Sequence, residues 1–327
     1  MRGRIVGTGM SVPARVITNR DLEAMVDTTD EWIYSRTGIR ERRIAASDES
    51  LSTFALPAAA AALEMAGVAG SQVDLVICAT VTPDTPFPAT ASLIQDRLGA
   101  HRAAAFDLAA GCTGFIYALG VAEQFIASGW ARNVLVVGGE VLSKIVDWTD
   151  RGTCVLFGDG AGAVLLQASA ADDGRGVLSS AMHSDGSLAE LIYIPGGGSR
   201  HPSSPEVLDQ RLSFIKMRGN ETFKIAVRSL AEVSEEALLR CGLRQGDVRW
   251  FIPHQANRRI IDAVGERLEI PPGHTYVNIE RYGNTSAASI PIALDELNRA
   301  GRIAAGDLLL FSAFGAGLTW GASVVRW

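Results

Sequence analysis

The sequence predicts an α/β protein composed of two similar halves. The chain has 327 residues, a length that suits two domains or one domain built of two halves. Short apolar runs typical of buried strands alternate with stretches of helical periodicity, as in layered α/β folds. A stretch of the first half also recurs in the second half, which indicates an internal duplication of long period.

Six apolar segments rich in Val, Ile and Leu are predicted to be buried strands. They cover residues 73–79, 103–109, 133–139, 161–167, 248–254 and 307–314. Segments with helical spacing of apolar residues lie between them, for example 51–67 and 257–268. The alternation therefore predicts helices packed against sheets.

The duplication appears when residues 62–79 are aligned without a gap to residues 237–254. Both segments have the pattern of a helix, a glycine turn and a buried strand. Further along, the triplet GCT at 111–113 corresponds to GNT at 283–285, and each triplet precedes a helix-like stretch. The two halves are therefore expected to share one local architecture.

The predicted halves divide the functional candidates between them. We expect a first half over residues 1–172 that carries Cys112, and a second half over residues 173–327 that carries His254 and Asn284. If the halves pack with pseudo-symmetry, both helix starts can point into one central site. His254 ends a predicted strand, where α/β proteins tend to bind ligands.

Composition and charge argue against several classes of protein. The net charge of −6 disfavours nonspecific nucleic-acid binding. No stretch reaches the ~18 uninterrupted apolar residues of a membrane span, and the first residues lack the apolar core of a secretory signal. The four cysteines, Cys78, Cys112, Cys154 and Cys241, form no CxxC pair and no zinc-like spacing. We therefore expect a cytoplasmic protein with free thiols and no metal.

Cys112 stands where a thiolate can be stabilised. A free thiol has a pKa of about 8.5, so only roughly 3% is ionised at pH 7. Cys112 follows a glycine and precedes a helix-like stretch, and a helix N-terminus offers unpaired N–H groups and partial positive charge. A pKa lowered to about 7 would make half of the thiol reactive. The local pattern leaves open a buried inert cysteine, which is the interpretation kept for the other three.

His254 and Asn284 are ambiguous when each is taken alone. A histidine after a proline at a strand end is by default a hydrogen-bonded core residue, although its charge changes near neutral pH and it can act as a donor or an acid–base group. Asn284 can cap the helix that follows, or its amide can donate to a developing oxyanion.

Four motifs, taken in order, decide between these interpretations. They are AGCTGF at 110–115, IPHQAN at 252–257, YGNTSAASIP at 282–291 and FGAGLTWG at 314–321. With them the chain resembles the β-ketoacyl-acyl carrier protein synthase III family, the initiating ketosynthases of dissociated fatty acid synthesis, over nearly its whole length. The resemblance implies a thiolase-like fold of two pseudo-symmetric duplicated halves in α-β-α-β-α layers.

The resemblance also implies a reaction and a catalytic triad of Cys112, His254 and Asn284. Cys112 would take an acetyl or a short or branched acyl group from acyl-coenzyme A, releasing coenzyme A. Malonyl-acyl carrier protein would then lose carbon dioxide, and its carbanion would attack the acyl thioester. His254 and Asn284 would stabilise the enolate-like charge. The backbone amides of Cys112 and Ala316, where the family often has glycine, would hold the acyl oxyanion, and no metal or redox cofactor is implied.

Two further sets of positions match sites of the family for coenzyme A. The adenine end is assigned to Trp32, Arg36, Thr37 and Arg151. Trp32 and Arg36 would flank the base, while Arg151 would stack there or reach a phosphate. The pantetheine channel is assigned to Gly219, Phe223, Ala256 and Asn257. Three other arginines close to this region, Arg40, Arg42 and Arg43, are expected on a solvated surface.

The resemblance implies protein partners as well. An acidic carrier protein requires a basic landing surface, which is assigned to Lys224, Arg258, Arg259 and Arg267. Phe87 matches a residue that crosses a homodimer interface and shapes the acyl pocket of the partner. Leu142 and Phe157 match other positions of that pocket.

Several alternatives are weighed against this interpretation. Thiolases use a second catalytic cysteine in a glycine-rich loop, and hydroxymethylglutaryl-coenzyme A synthase uses a glutamate near a strand end that is absent from residues 77–87. A nucleotide-binding loop at GDGAGA, 158–163, would require a following helix rather than a strand-like run. The complete triad disfavours an inactive scaffold. The alternative that stays open is a related acyltransferase or priming ketosynthase of secondary metabolism.

Overall fold

The structure is a computed structural model that describes residues 1–170 and 173–327. The strands of the first part of the chain are β1 (Arg2–Ser11), β2 (Val16–Thr18), β3 (Glu41–Arg43), β4 (Leu75–Ala79), β5 (Ala104–Leu108), β6 (Asn133–Glu140) and β7 (Gly160–Ser169). The helices there are α1 (Asn19–Glu23), α2 (Asp30–Thr37), α3 (Leu51–Ala66), α4 (Thr90–Arg97), α5 (Gly114–Ala127) and α6 (Arg151–Cys154).

The second part of the chain repeats the alternation of strands and helices. Its strands are β8 (Gly176–Ser184), β9 (Ile192–Tyr193), β10 (Lys216–Met217), β11 (Trp250–Pro253), β12 (Leu308–Gly315) and β13 (Thr319–Arg326). Its helices are α7 (Pro205–Asp209), α8 (Gly219–Arg240), α9 (Arg258–Arg267), α10 (Ile279–Tyr282) and α11 (Ser289–Arg299). Each of the six segments predicted to be a strand overlaps one.

Two larger sheets carry the fold, and their strands follow the same order and sense. The first sheet has the order β1-β7-β6-β4-β5, and the second has the order β8-β13-β12-β11. In each sheet the first two pairings are antiparallel and the next is parallel. In the first sheet β4 also pairs with β5 in parallel. At the corresponding edge of the second sheet, Phe251 of β11 forms an isolated parallel bridge with Thr275. This repetition supports the expected duplication.

The apolar core explains the order of the layers. One cluster joins the inner faces of both sheets through α5 and α11. A second cluster joins the outer face of the first sheet to α3 and α4, and a third joins the outer face of the second sheet to α8 and α9. The layers are therefore helix, sheet, helix, sheet, helix, which is the predicted α-β-α-β-α architecture.

Burial on both faces accounts for the residues of the central strands. Every residue of β4 and β12 is buried, as is typical of strands covered by helices on both sides. The GDGAGA segment leads into strand β7 rather than a helix, so it lacks the context of a nucleotide-binding loop. A side chain at Gly162 would meet the backbone of Pro291 and Ile292, which confirms that close packing on α11 requires glycine there.

The sequence predicts both the boundary between the halves and the absence of a membrane span. The division into halves at residue 172 stays a prediction, because residues 171 and 172 lie outside the described part. Among the residues that the structure describes, no helix combines the length and the apolar character of a membrane span.

Arg42 corrects one expectation from the sequence. The sequence analysis placed it on a solvated surface, but its side chain is fully buried. Its guanidinium donates to Ile17 O at 3.2 Å, Asn19 Oδ1 at 2.9 Å and Val155 O at 2.8 Å. Burial lowers the pKa of Arg42 to about 10. The residue therefore ties β2 and α1 to the segment after α6, and periodicity alone could not reveal this.

We predict that Arg42→Ala lowers the free energy of unfolding by about 3 kcal/mol or more, because it leaves buried acceptors unpaired and opens a cavity. The matched control is Arg40→Ala, which removes surface ion pairs to Asp30 and Glu280 and should cost less than about 1 kcal/mol. Denaturant unfolding of both variants measures the difference. Equal, small losses would show that the Arg42 hydrogen bonds do not hold the fold.

Candidate active site

A cavity of about 700 Å³ brings together residues of both halves. Its wall includes Cys112, His254 and Asn284. Cys112 is more than a hundred residues away from the other two in the sequence. His254 and Asn284 are buried, at 4% and 7% exposure, whereas Arg36 and Arg151 in the same wall are exposed. His254 and Asn284 therefore lie deep in the cavity with the half-buried Cys112, and the arginines lie at its mouth.

Two close backbone approaches position Cys112. Gly111 has a φ of +53°, and a Cβ added to it would lie 2.9 Å from the amide nitrogen of Ala316. A Cβ added to Gly315 would lie 2.5 Å from the amide nitrogen of Cys112. Only glycine fits at either position without displacement. The turn before α5 is thus held against the loop after β12, with the amides of Cys112 and Ala316 close together.

The alanine at position 316 fits its backbone without strain. Within residues 1–170 and 173–327, the non-glycine residues with positive φ are Arg211, Glu269 and Ser286. Ala316 is not one of them, so it does not need the conformational freedom of glycine. The role of its amide as an oxyanion donor stays a prediction.

The protonation state of Cys112 differs from the expectation. Burial raises the pKa of the Cys112 thiol to about 11, although the Ser286 hydroxyl and the amide of Cys112 act in the opposite direction. This shift is opposite to the lowering that a helix N-terminus favours. In the unliganded protein, burial therefore favours the protonated thiol at neutral pH.

His254 is held as a neutral imidazole. Its amide donates to Ser312 O at 2.8 Å, which anchors the end of β11 to β12. The ring Nδ1 lies 2.7 Å from Ser289 Oγ, and the buried ring Nε2 has no hydrogen-bond partner in the part of the chain that the structure describes. Burial lowers the pKa of His254 to about 3. The ring is therefore uncharged at neutral pH, and one nitrogen is left for a ligand.

Asn284 is oriented by the turn that follows it. Its backbone N–H donates to Leu156 O, and its backbone carbonyl accepts from Gly158 N at 3.0 Å. These two bonds tie Asn284 to the loop before β7. The side-chain Oδ1 accepts from Ser286 N at 2.8 Å. Because the side-chain oxygen is engaged, the Nδ2 group is the part left to donate into the cavity.

Gln255 fixes the loop around His254 and was not identified from the sequence as a functional residue. Its Nε2 donates to Pro253 O and Tyr276 O, and its Oε1 accepts from Asn278 N and Ile279 N. All donor and acceptor capacity of this buried amide is thus used. Gln255 is part of the IPHQAN motif, but its hydrogen-bond partners Tyr276, Asn278 and Ile279 lie on a separate segment.

Glu140 at the end of β6 was also missed. Its fully buried carboxylate accepts hydrogen bonds from Thr80 Oγ1, Val81 N, Thr82 Oγ1 and Ser286 Oγ. Burial raises its pKa to about 7. The sequence analysis found no glutamate at the strand end after β4, and the neighbouring strand supplies one. Four donors already occupy the Glu140 carboxylate, and Glu140 is not among the described residues that line the cavity. It is therefore not placed to act as an exposed base.

The residues assigned to coenzyme A line the same cavity, namely Trp32, Arg36, Thr37, Arg151, Gly219, Phe223, Ala256 and Asn257. The guanidinium carbons of Arg36 and Arg151 lie 4.6 Å and 4.8 Å from the Trp32 ring centroid. The hydroxyl of Thr37 already donates to Ile33 O at 2.7 Å.

Asn257 already has a structural task in this wall. Its Nδ2 donates to Arg36 O at 2.9 Å, and its Oδ1 caps α9 by accepting from Arg259 N. It therefore joins the end of α2 to the start of α9, which brings the arginine-bearing helix to the cavity.

Only some of the residues assigned to the carrier protein and the acyl pocket line the cavity. Lys224, Arg259 and Phe157 line the cavity. Arg258 pairs with Asp262 at 2.7 Å, and Arg267 lies 4.0 Å from Glu232.

Two of the acyl-pocket assignments lie outside this wall. Leu142 is buried in a cluster with Phe157 rather than in the cavity wall. Phe87 is 85% exposed on the surface. The roles of both residues stay predictions.

The chain is similar to known proteins over nearly its whole length. Residues 106–186 match the family described as 3-oxoacyl-[acyl-carrier-protein (ACP)] synthase III, and residues 238–327 match its C-terminal part. The β-ketoacyl-[acyl-carrier-protein] synthase III of Desulfitobacterium hafniense (strain DSM 10664 / DCB-2) is 55% identical over 99% of this chain and 97% of its own. The enzyme of that name from Symbiobacterium thermophilum gives the same identity and coverage.

Solved structures give the same result. The 3-oxoacyl-[acyl-carrier-protein] synthase III of Aquifex aeolicus VF5 is 50% identical with a TM-score of 0.92, over 99% of this chain and 100% of its own. The priming β-ketosynthase of the R1128 polyketide biosynthetic pathway is 37% identical with a TM-score of 0.92, over 99% of this chain and 96% of its own.

The raised pKa of Cys112 leads to a pH prediction. The thiolate fraction should rise about tenfold per pH unit between pH 7 and 9, and the rate of alkylation of Cys112 by iodoacetamide should rise with it. Peptide mass spectrometry of Cys112 measures that rate, with Cys241, the other half-buried cysteine, as the internal reference. A rate that levels off near neutral pH would contradict the burial argument and restore the expectation from the helix N-terminus.

Proposed function

The chain belongs to the 3-oxoacyl-[acyl-carrier-protein] synthase III family of condensing acyltransferases, and we propose that its cavity joins an acyl group from coenzyme A to malonyl-acyl carrier protein. The products are β-ketoacyl-carrier protein, coenzyme A and carbon dioxide, and the reaction initiates fatty acid biosynthesis. The observation that carries this proposal is the convergence of Cys112, His254 and Asn284 on one cavity with exposed arginines at its mouth.

Cys112 acts as the nucleophile in the first half-reaction. Its sulfur attacks the carbonyl carbon of the acyl-coenzyme A, the thiol proton is released, and coenzyme A leaves as the thiolate and takes up a proton. The amides of Cys112 and Ala316, brought together by the approaches at Gly111 and Gly315, stabilise the tetrahedral oxyanion. The acetyl or short branched acyl group then stays on Cys112 as a thioester.

His254 and Asn284 serve the second half-reaction. Neutral His254 and the Nδ2 group of Asn284 donate hydrogen bonds to the thioester oxygen of malonyl-carrier protein. Charge develops on this oxygen as the carboxylate leaves as carbon dioxide, so these donors lower the barrier. The resulting carbanion attacks the acyl carbon, and Cys112 leaves as a thiolate. A neutral histidine suits this role, because it donates without first taking up a proton.

The mouth of the cavity suits coenzyme A and a carrier protein. The Trp32 ring with Arg36 and Arg151 offers stacking surfaces for an adenine and positive charge for phosphates. Lys224 and Arg259, in the cavity wall, supply positive charge for an acidic carrier protein. Arg258 and Arg267 extend this charge, although each has an acidic neighbour.

We also propose a homodimer. Among the described residues, strand β5 is the last strand of its sheet and is paired on one side only, and such an edge is suited to pairing with a second copy. The 85% exposed ring of Phe87 lies in the connection between β4 and α4, the elements next to β5. A large apolar ring exposed to this degree is consistent with burial in a partner. A cytoplasmic location likewise stays a prediction.

One observation favours a second candidate function. The 37% identity to a priming β-ketosynthase of polyketide biosynthesis indicates that the same fold can prime other pathways. The higher identity to relatives named β-ketoacyl-[acyl-carrier-protein] synthase III, 55% over 99% of the chain, favours the fatty acid assignment.

We predict that an acyl-coenzyme A loads a single acyl group onto the wild-type protein and none onto Cys112→Ala. Intact-protein mass spectrometry with a panel of acetyl, branched and longer esters measures the loading, and the ester loaded fastest identifies the primer. Cys241→Ala is the matched control and should load normally. Loading of Cys112→Ala would exclude Cys112 as the nucleophile.

A second prediction separates the two half-reactions. His254→Ala and Asn284→Ala should load acyl groups on Cys112 but should decarboxylate malonyl-carrier protein about 10²–10³-fold more slowly, because each loses one donor to the enolate oxygen. Mass spectrometry measures loading, and release of labelled carbon dioxide measures decarboxylation. If both variants lose loading and decarboxylation equally while they remain folded, the assigned division of roles is wrong.

A further inference from the structure

Ser289 occupies a position from which it can set the protonation pattern of His254. It is the first residue of α11 and is only 2% exposed. Its Oγ lies 2.7 Å from His254 Nδ1 and accepts a hydrogen bond from Gln255 N at 3.3 Å. These two contacts enclose the hydroxyl between the histidine ring and the backbone that follows it.

The chemistry of the two contacts determines the direction of the hydrogen bond to the ring. A backbone N–H only donates, so the Ser289 oxygen is the acceptor toward Gln255. The hydroxyl also carries one proton to donate, and His254 Nδ1 is the acceptor that the described residues place within hydrogen-bond distance of it. The hydroxyl then donates to Nδ1, which has to be the unprotonated nitrogen of a neutral imidazole. The proton of the ring is consequently on Nε2.

The other ring nitrogen agrees with this assignment. His254 Nε2 is buried and lacks a partner among the described residues, while the ring lines the cavity that holds Cys112 and Asn284. A buried N–H without a partner is unfavourable in the free protein. It becomes satisfied when an acceptor, such as a thioester oxygen, enters the cavity.

We propose that Ser289 is a positioning residue that holds His254 in the tautomer with its proton on Nε2, so that the ring presents a donor to the cavity. The consequence for catalysis rests on the proposed function, in which that donor stabilises the enolate oxygen. Without the hydroxyl, Nδ1 loses its donor, and the ring is free to move its proton to Nδ1 or to rotate. Either change presents an acceptor, or no group, to the developing negative charge.

The first test examines the tautomer without any substrate. Long-range ¹H–¹⁵N NMR spectra of protein labelled with [¹⁵N]histidine report which ring nitrogen carries the proton, and the His254→Asn variant assigns the signal. We expect Nε2 to be protonated in the wild type and this preference to be lost in Ser289→Ala. A wild-type His254 protonated on Nδ1 overturns the proposal, whether or not the alanine variant folds.

The second test separates the effect of Ser289 on each half-reaction. Ser289→Ala should load acyl groups on Cys112 within about two-fold of the wild type, while its kcat for malonyl-carrier protein decarboxylation falls about 10²-fold, as for loss of one donor. The matched control is Ser234→Ala, which removes a fully buried hydroxyl on α8 that has no hydrogen-bond partner within residues 1–170 and 173–327. This control should leave both half-reactions unchanged.

The outcomes distinguish this proposal from the function on which it rests. If the wild type neither loads nor condenses, the proposed function fails, and the NMR result still decides the role of Ser289 as a tautomer anchor. If the wild type is active and folded Ser289→Ala decarboxylates as fast as Ser234→Ala, Ser289 does not position His254 for catalysis. A parallel loss of loading and decarboxylation in Ser289→Ala would indicate a merely structural role and would also overturn the proposal.

Discussion

The cavity exists because α5 and α11 are buried side by side between the two sheets and begin at the same place. The turns before these helices pack against one another, and close contacts at Gly114 and Gly138 bring Ala287 against the first sheet. Cys112 lies in one turn, and Asn284 directly precedes the other. Both positions therefore follow from the packing of the central layer, and His254 reaches them from the end of β11.

Burial controls the protonation of the catalytic candidates in the cavity. It raises the pKa of the Cys112 thiol to about 11 and lowers the pKa of His254 to about 3, so the unliganded site holds two neutral groups rather than an ion pair. Two neutral groups carry no charge that has to be desolvated, and they offer donors where charge develops during reaction. The positive charge needed for phosphates and an acidic partner is kept at the exposed mouth. Binding and bond formation thus use different parts of one cavity.

The sequence predicts much of this arrangement, since periodicity locates the strands and the motifs locate Cys112, His254 and Asn284. It misses β1, β8 and β13, because glycine, serine and arginine interrupt their apolar pattern.

The sequence also fails where a property depends on contacts between distant segments. Arg42 belongs to a basic run but is buried, and the helix start that favours a thiolate at Cys112 is outweighed by burial. The hydrogen bonds of Gln255 and Glu140 join segments that sequence spacing does not relate.

In the proposed mechanism, two separate sets of donors act on two different oxygens. A crystal structure of the protein acylated on Cys112 tests it directly. We expect the thioester oxygen within about 3 Å of the amide nitrogens of Cys112 and Ala316, with His254 Nε2 and Asn284 Nδ2 free to face a second ligand. A thioester oxygen bound to His254 Nε2 or Asn284 Nδ2 would contradict the account.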